Sequence, residues 1–519
     1  MARIAVLSCL AVWGATTLLW PFGSDQGYWA WIGDAILHGA QPYRDAWDTK
    51  GPVAYYLGAI PQLLFGRNQW GVRVVELGWM AAGGILIART GPLRQWRDAG
   101  FAAGVLFVVL YGSTGYWHTA QPDGWGAVLI IAAVSLVARD GVRAAAFVAS
   151  GAFVALAMLI KPTFGVFLLL PALASVLRAD VPLDRRILHG LWAIVSCGAV
   201  IICVLGLLSM AGSLDAFLES QRWAQVVYAG LGESWLVRLR RGLTVMFETR
   251  IALLLPLAAI GGWWAWQSSH RRDLVLALAW LSVAFAGVLV QGKFFVYHWA
   301  PLLAPLAWLA GLGAGHALSI ARDARQRSSD HSIAAIAGFT AIVPALALAF
   351  PLLLASYHAA LAATGLRPRQ IYLTTLPGIV SPRPPNASAA LGSYLREHSA
   401  PDDYVYVFGG EPGAYFMSDR RSPTRFATSR PVMQGGDGSL MRERFRRELL
   451  ADLDAHPPLY VVAFSPAACA RLTRDDYQCV RNWPDLADRF DRSYHVEATI
   501  GPYQIMRRGT LTASRQGSN

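Results

Sequence analysis

The sequence predicts an α-helical polytopic membrane protein of about 11 transmembrane helices, with in-plane helices in its first outer loop and a small α/β domain at its C-terminus. Three observations carry that fold class. Of 519 residues, 55% are hydrophobic and only 15% are charged, where a soluble protein carries about 25% charge. The apolar residues gather in runs close to the bilayer-crossing length of about 20 residues. The charged residues gather in short turns, two longer loops and one long tail. A soluble multidomain enzyme is excluded by this composition. Disorder is excluded too, because the chain holds 20 Trp, 21 Phe and 18 Tyr.

Eleven runs fall near 3–20, 71–88, 100–117, 124–138, 144–160, 163–178, 187–211, 251–267, 274–290, 299–320 and 333–358. The first follows Arg3 and reads as an uncleaved anchor, since no small-residue cleavage site follows it and Trp20-Pro21 closes it. With a cytoplasmic N-terminus, the inside segments hold 14 basic residues, including Arg3, Arg89, Arg139, Arg271, Arg322 and Arg327. They hold seven acids, including Asp98, Asp140, Asp273 and Asp330. This is the bias that orients membrane helices. An odd number of spans puts the tail outside. The formal charge of +12 is therefore mostly topology, and no nucleic acid is expected as a partner. Membrane lipids are. The expected location is a bacterial inner membrane, multi-pass, with the N-terminus cytoplasmic and the C-terminal domain periplasmic.

The expected division is a transmembrane domain over 1–358 and a periplasmic or extracellular α/β domain over 359–519. The second opens on a Pro-rich linker, RPRQ to SPRPP. Helices are expected at 387–398 and 440–455. Strands are expected at 403–409 and 458–464, with HVEATI and YQIMRR closing the chain. Its FGGEPG lacks the spacing of a dinucleotide loop and reads as a turn. Cys9, Cys197 and Cys203 lie in apolar runs and read as core residues. Cys469 and Cys479 can pair in an oxidising compartment. No cysteine spacing resembles a metal site.

Chemistry is expected in the first outer loop, 21–70. Asp25 lies at the exit of the first run. In YWAWIGDAILHG, Tyr28, Ile32, Ala35 and Ile36 share one helical face, and Trp29 and Trp31 suit an interface. That pattern reads as an amphipathic helix in the membrane plane. QPYRDAWDTKGP follows, bringing Tyr43, Asp45, Asp48 and Lys50, and a second apolar helix is expected after Pro52.

An acid just after the first span, followed by GAQPYRDAWDTKGPVAYY (39–56), resembles the GT-C glycosyltransferases that use polyprenyl-phosphate sugars. The nearest likeness is to the bacterial group of protein O-mannosyltransferases and aminoarabinose transferases. The architecture of the whole chain fits; the motif content lies in about 40 residues of the first loop. The resemblance implies that Asp25 is the general base and that Lys50 binds the donor phosphate. It also implies an undecaprenyl- or decaprenyl-phosphate sugar as donor, and a glycan, lipid or protein as acceptor. Where the family has a second acid, this chain has Gln26. That departure argues against a two-carboxylate metal site, so no metal ligands and no certain cofactor are assigned, and a divalent metal stays an open alternative.

The basic residues add a signal of their own. Only three are lysines, Lys50, Lys161 and Lys293, against 42 arginines. All three fall at an outer membrane edge, in WDTKGP, LIKPTF and QGKFFVYHW, and none anchors an inside loop. A compact ammonium, as opposed to a planar guanidinium, is expected to matter there. Lys50, Lys293, His298 and Lys161 are the candidate phosphate ligands. Asp48, Asp123, Tyr43 and Arg222 are candidates to line the substrates. The reading is an inverting glycosyltransferase, hexosyl- or pentosyl-transferring. The alternative is a transporter or flippase of lipid-linked sugars, which would favour internal repeats and midplane charges; neither is visible in the sequence.

Overall fold

A long apolar run in lipid must satisfy its own backbone hydrogen bonds, and the helix does so without partners. The computed structural model describes residues 1–139, 141, 143–230, 234–326, 331–376, 384–435, 439–472 and 476–509. Asp140, Arg327, Asp330 and much of SPRPP lie outside the described residues.

The first helices are α1 (Ala2–Thr17), α2 (Ser24–Leu37), α3 (Pro52–Phe65), α4 (Gln69–Ala88), α5 (Arg97–Ser113), α6 (Pro122–Val137) and α7 (Ala144–Met158). Then come α8 (Leu169–Val176), α9 (Leu183–Met210), α10 (Leu214–Trp223), α11 (Trp235–Glu248), α12 (Leu255–Gln267), α13 (Arg271–Gln291), α14 (Ala300–Gln326) and α15 (His331–Ala363). Every expected apolar run coincides with helix. Five stretches are long and apolar enough to cross a membrane: Gln69–Ala88, Leu183–Met210, Arg271–Gln291, Val296–Gln326 and His331–Ala363. A sixth is a pair, Trp235–Phe247 with Ile251–Gln267, bent by 58°. Arg250 sits at that bend with φ 58°. Its guanidinium donates to the Ala347 carbonyl at 3.0 Å. The other runs are shorter helices, such as α1 with 16 residues and α7 with 15.

The chain divides into two compact units. The first comprises 1–20, 50–214 and 231–379, and the second 21–49, 215–230 and 380–519. In the first, α14 is buried along most of its length. It owes this to small residues. A Cβ on Gly313 would overlap the Leu257 carbonyl of α12, and one on Gly311 would lie 2.7 Å from the Ala103 Cα of α5. Helices in lipid gain most from such close backbone approach.

Helix α16 (Arg369–Thr374) still belongs to the first unit, and the second runs through α17 (Ala387–His398), β1 (Val405–Val407), α18 (Gly413–Ser418), α19 (Arg430–Met433) and α20 (Leu440–Ala455). It ends with β2 (Tyr460–Phe464), α21 (Pro466–Cys469), α22 (Pro484–Ser493), β3 (Tyr494–Ile500) and β4 (Tyr503–Arg508). The sheet order is β1-β2-β4-β3, with β1 parallel to β2 and the other pairs antiparallel. Cys469 and Cys479 are disulfide-bonded, with Cα atoms 5.7 Å apart. The core includes Tyr406, Phe408, Phe445, Val461 and Trp483, and also Trp47 and Trp223 from the two long loops. Helix α2 packs here as well. A Cβ on Gly27 would lie 2.6 Å from the Gly413 Cα, and Ser24 Oγ donates to the Gly410 carbonyl. Trp29 and Trp31, expected at a lipid interface, are instead buried in protein, Trp31 with its ring centroid 5.4 Å from that of Tyr415. A helix enclosed on several sides buries aromatics that a one-sided helix would leave to the headgroups.

Candidate active site

Local sequence explains how the lysines are set. In Lys50-Gly51-Pro52, Pro52 opens α3, where its fixed φ and missing N–H cost nothing. Lys161-Pro162 opens a 3-10 turn, Pro162–Leu168, in the same way. Lys293 follows Gly292, which ends α13 at φ 61°. The first two lysines are joined through the main chain. Gly51 N–H donates to the Ile160 carbonyl at 2.9 Å, and Val53 N–H donates to the Leu159 carbonyl at 3.1 Å. A Cβ at position 51 would overlap the Leu159 carbonyl oxygen, so only glycine permits this approach. The Lys50 N–H also donates to the Tyr55 hydroxyl at 3.1 Å.

Lys161 Nζ donates to both Asp123 carboxylate oxygens, at 3.0 and 2.9 Å, and to Gln291 Oε1. Its three ammonium hydrogens are thereby matched by acceptors. Nζ also lies 5.9 Å from the centroid of the Tyr297 ring. Asp123 is fully buried, and the Lys161 side chain is 13% exposed. Asp123, in the first turn of α6, is therefore held in a buried ion pair. His298 stands in the 3-10 turn Val296–Trp299 and is buried. Its Nδ1 makes no hydrogen bond among the described residues. The charges of Lys161, Lys50 and Lys293 all act on its ring. Five of the expected site residues, Lys50, Lys161, Lys293, His298 and Asp123, thus gather in the first unit. Among them are three ammonium groups and one carboxylate, a balance suited to an anion.

Gln291 and Tyr297 were missed by sequence reasoning. The signal was there: both flank Lys293 and His298 within QGKFFVYHW. Arg73 and Glu76 were missed too, although two charges inside an apolar run are a signal in themselves. They are buried and paired at 3.2 Å. Arg73 also donates to Thr119 Oγ1 and the Tyr116 carbonyl, each at 3.0 Å, and Tyr111 donates to Glu76 at 2.8 Å.

The other four expected residues belong to the second unit. Asp25 lies half-buried in the first turn of α2, whose N-terminal end favours a carboxylate. Gln26, in the place of the family's second acid, is a capping residue: the Gly23 N–H donates to its Oε1 at 2.7 Å. Asp48 is half-buried and acts on Tyr28. Burial first, and the Asp48 charge second, push the Tyr28 phenol well above its ordinary range. Tyr28 donates to the Trp47 carbonyl. Tyr43 is fully buried at φ 69°, its ring 5.0 Å from that of Phe217. Arg222 is exposed in the last turn of α10. Among the described residues, no three His, Cys, Asp or Glu side chains gather as metal ligands.

Comparison with known proteins agrees with the helical architecture. Residues 49–210, which include Lys50, Asp123 and Lys161, match the family described as dolichyl-phosphate-mannose-protein mannosyltransferase. No curated protein sequence matches the chain closely enough to count as a relative. Among solved structures, the chain is similar to ArnT from Cupriavidus metallidurans bound to undecaprenyl phosphate, with a TM-score of 0.59 at 16% identity, covering 99% of each chain. It is similar to the apo state of the same protein with a TM-score of 0.58 at 16% identity, covering 97% of each. The chain has the GT-C fold, and over residues 49–210 it carries the sequence pattern of that mannosyltransferase family.

Proposed function

We propose that the protein is an inverting glycosyltransferase that moves a sugar from a polyprenyl-phosphate donor to a hydroxyl of a cell-envelope acceptor. The observation that carries this reading is Lys161, held by Asp123 and Gln291 and lying 5.9 Å from the Tyr297 ring beside the buried His298, with Lys50 tied to the same turn by the Gly51–Ile160 hydrogen bond. A lipid-phosphate donor leaves as a phosphate monoester, and preorganised cations are what lower the barrier to its departure. In this reading Lys50 and Lys293 hold the phosphate oxygens and His298 supplies a hydrogen bond. Lys161, tied to Asp123 and Gln291, fixes the shape of the cluster. Asp25 takes the proton of the acceptor hydroxyl. The acceptor oxygen then bonds to the anomeric carbon from the face opposite the phosphate. The bond from that carbon to the phosphate oxygen breaks, and its electrons stay on the phosphate.

The further proposal is that the chemistry lies on the periplasmic side of a bacterial inner membrane, with the N-terminus cytoplasmic. The Cys469–Cys479 disulfide supports an oxidising compartment for the second unit. The boundary between a membrane catalytic domain, 1–358, and a soluble domain, 359–519, belongs to the same proposal.

The test mixes purified protein with an undecaprenyl-phosphate sugar and measures free undecaprenyl phosphate, with and without acceptor. Lys50→Ala is expected to lower turnover by about 10²–10³, and Asp25→Asn by about 10²–10⁴. Full turnover in both variants would remove these residues from the site. Movement of intact donor across a vesicle membrane, with no sugar released, would favour a transporter.

A further inference from the structure

The first unit also contains an apolar trough that the glycosyl-transfer reading does not use. It lies between α1, α4 and α5 and has a volume of about 410 Å³, within the range of small-ligand sites. Leu10, Ala11, Leu77, Ala81, Phe101 and Val105 are among its walls. Gly84 and Gly104 also line it and let α4 and α5 approach closely at its floor, since a Cβ on Gly104 would lie 2.7 Å from the Gly84 carbonyl oxygen. Its rim is open: Leu7 is 54% exposed and Ile85 is 52% exposed. One of its three helices, α4, is long and apolar enough to cross a membrane.

One end of the trough is charged. Arg3, at the start of α1, donates to Asp98 at 2.5 Å, and its guanidinium lies 5.4 Å from the centroid of the Phe101 ring, a wall residue. Arg322, near the end of α14, donates to the other Asp98 oxygen at 3.1 Å. Arg89 directly follows the wall residue Ala88 and is exposed. Two guanidinium groups on one carboxylate leave an excess of positive charge, and both stay half-exposed, with side chains 48% and 61% open.

We infer that this trough binds an acyl chain of an anionic phospholipid, with the headgroup phosphate at Arg3 and Arg322. An apolar slot ending at paired arginines complements that ligand at both ends. The slot supplies chain burial, and the guanidinium forks suit phosphate oxygens. A zwitterionic phospholipid would fill the slot and offer the same phosphate, but its ammonium group would meet the excess positive charge of Arg3 and Arg322, so a net-anionic headgroup is favoured.

The test uses the full chain in nanodiscs of mixed phosphatidylglycerol and phosphatidylcholine, with native mass spectrometry counting the lipids retained after delipidation. Wild-type protein is expected to retain phosphatidylglycerol about fivefold above its share of the bilayer, the effect of about one basic charge. Ala81→Phe, which fills the trough from its exposed rim, is expected to reduce retention of both lipids. Arg3→Gln with Arg322→Gln is expected to keep a bound lipid and lose the preference. Arg3→Gln alone leaves the Arg322–Asp98 pair in place and guards against a folding artefact. Ile336→Phe, on another exposed helix face, should change nothing. Equal retention of the two lipids by the wild type, or an unchanged preference in the arginine variants, would overturn the inference. So would displacement of phosphatidylglycerol by equimolar undecaprenyl phosphate, which would assign the trough to the donor.

Discussion

In the first unit, Asp123 meets Lys161 and Glu76 meets Arg73, and all four side chains are nearly sealed from solvent. In the second unit, Arg425 bridges Glu219 at 2.9 Å and Glu448 at 2.6 Å, while Arg444 reaches Glu219 at 2.6 Å from a half-exposed position. There the arginines also lie over aromatic rings, Arg446 over Trp483 at 4.6 Å and Arg430 over Tyr477 at 4.8 Å. The contrast follows from what surrounds each charge. Where apolar helices are the solvent, a charge persists only with its partner. In the second unit a buried arginine is shared between two carboxylates, one of which also meets a half-exposed arginine, and aromatic burial adds to the stability. All three lysines belong to the first unit.

That contrast can be broken most forcefully at the buried pair. Lys161→Ala should cost about 3–5 kcal/mol, because Asp123 is left buried and unpaired, and a fall in Tm would report it. Lys161→Met with Asp123→Leu should recover much of that stability without recovering turnover, a split that stability alone would not produce. In the second unit, the comparable loss should come from an aromatic and not from a charge. Trp47, 5.1 Å from Trp223 and 5.9 Å from Phe445, should cost about 3–5 kcal/mol on Trp47→Ala, read by near-UV circular dichroism and thermal melting. Arg444→Ala in the same unit should cost no more than about 1 kcal/mol.

Gly51→Ala sharpens the comparison on the backbone. A methyl group against the Leu159 carbonyl should cost about 1–3 kcal/mol and lower turnover together with Lys50→Ala, whereas Gly39→Ala, in open space at positive φ, should spare turnover. The smallest effect is expected from Asp45 on pH. A hydrogen bond from Arg44 holds its carboxyl below the usual range. Its folded pKa is below its unfolded one, so its contribution is present above the unfolded value, about 3.9, and disappears as pH falls through the folded value. The pair is largely exposed, so the slope in stability removed by Asp45→Asn should amount to less than about 1 kcal/mol.

Much of the fold was legible along the chain. The runs 187–211 and 274–290 became α9 and α13, and 387–398 and 440–455 became α17 and α20 with matching ends. Local hydrophobic period and turn residues suffice for elements of that length. The short α18 was not legible, since six residues carry little periodicity; α22 does carry a helical pattern, with Leu486, Ala487 and Phe490 on its buried face, but its ten residues are mostly charged and hold no long apolar run. In the site, the lysines declared themselves by rarity and position. Gln291 stood beside Lys293 in the same stretch, but its partner Lys161 lies 130 residues away and could not be read from that neighbourhood.

By itself the sequence determined that this is a membrane helical protein with a polar C-terminal α/β region, because hydrophobic length and charge asymmetry are properties of the chain. It also singled out Lys50, Lys161 and Lys293. Only the tertiary structure decided that Asp123 and Gln291 engage Lys161, and that Gly51 beside Lys50 is hydrogen-bonded to Ile160 beside Lys161. It alone decided that Trp47 and Trp223, from two separate loops, complete the aromatic core of the second unit. Those pairings span 38 to 130 residues in the lysine cluster, and a contact at such separation is set by how helices and sheet pack, not by any local preference of the chain.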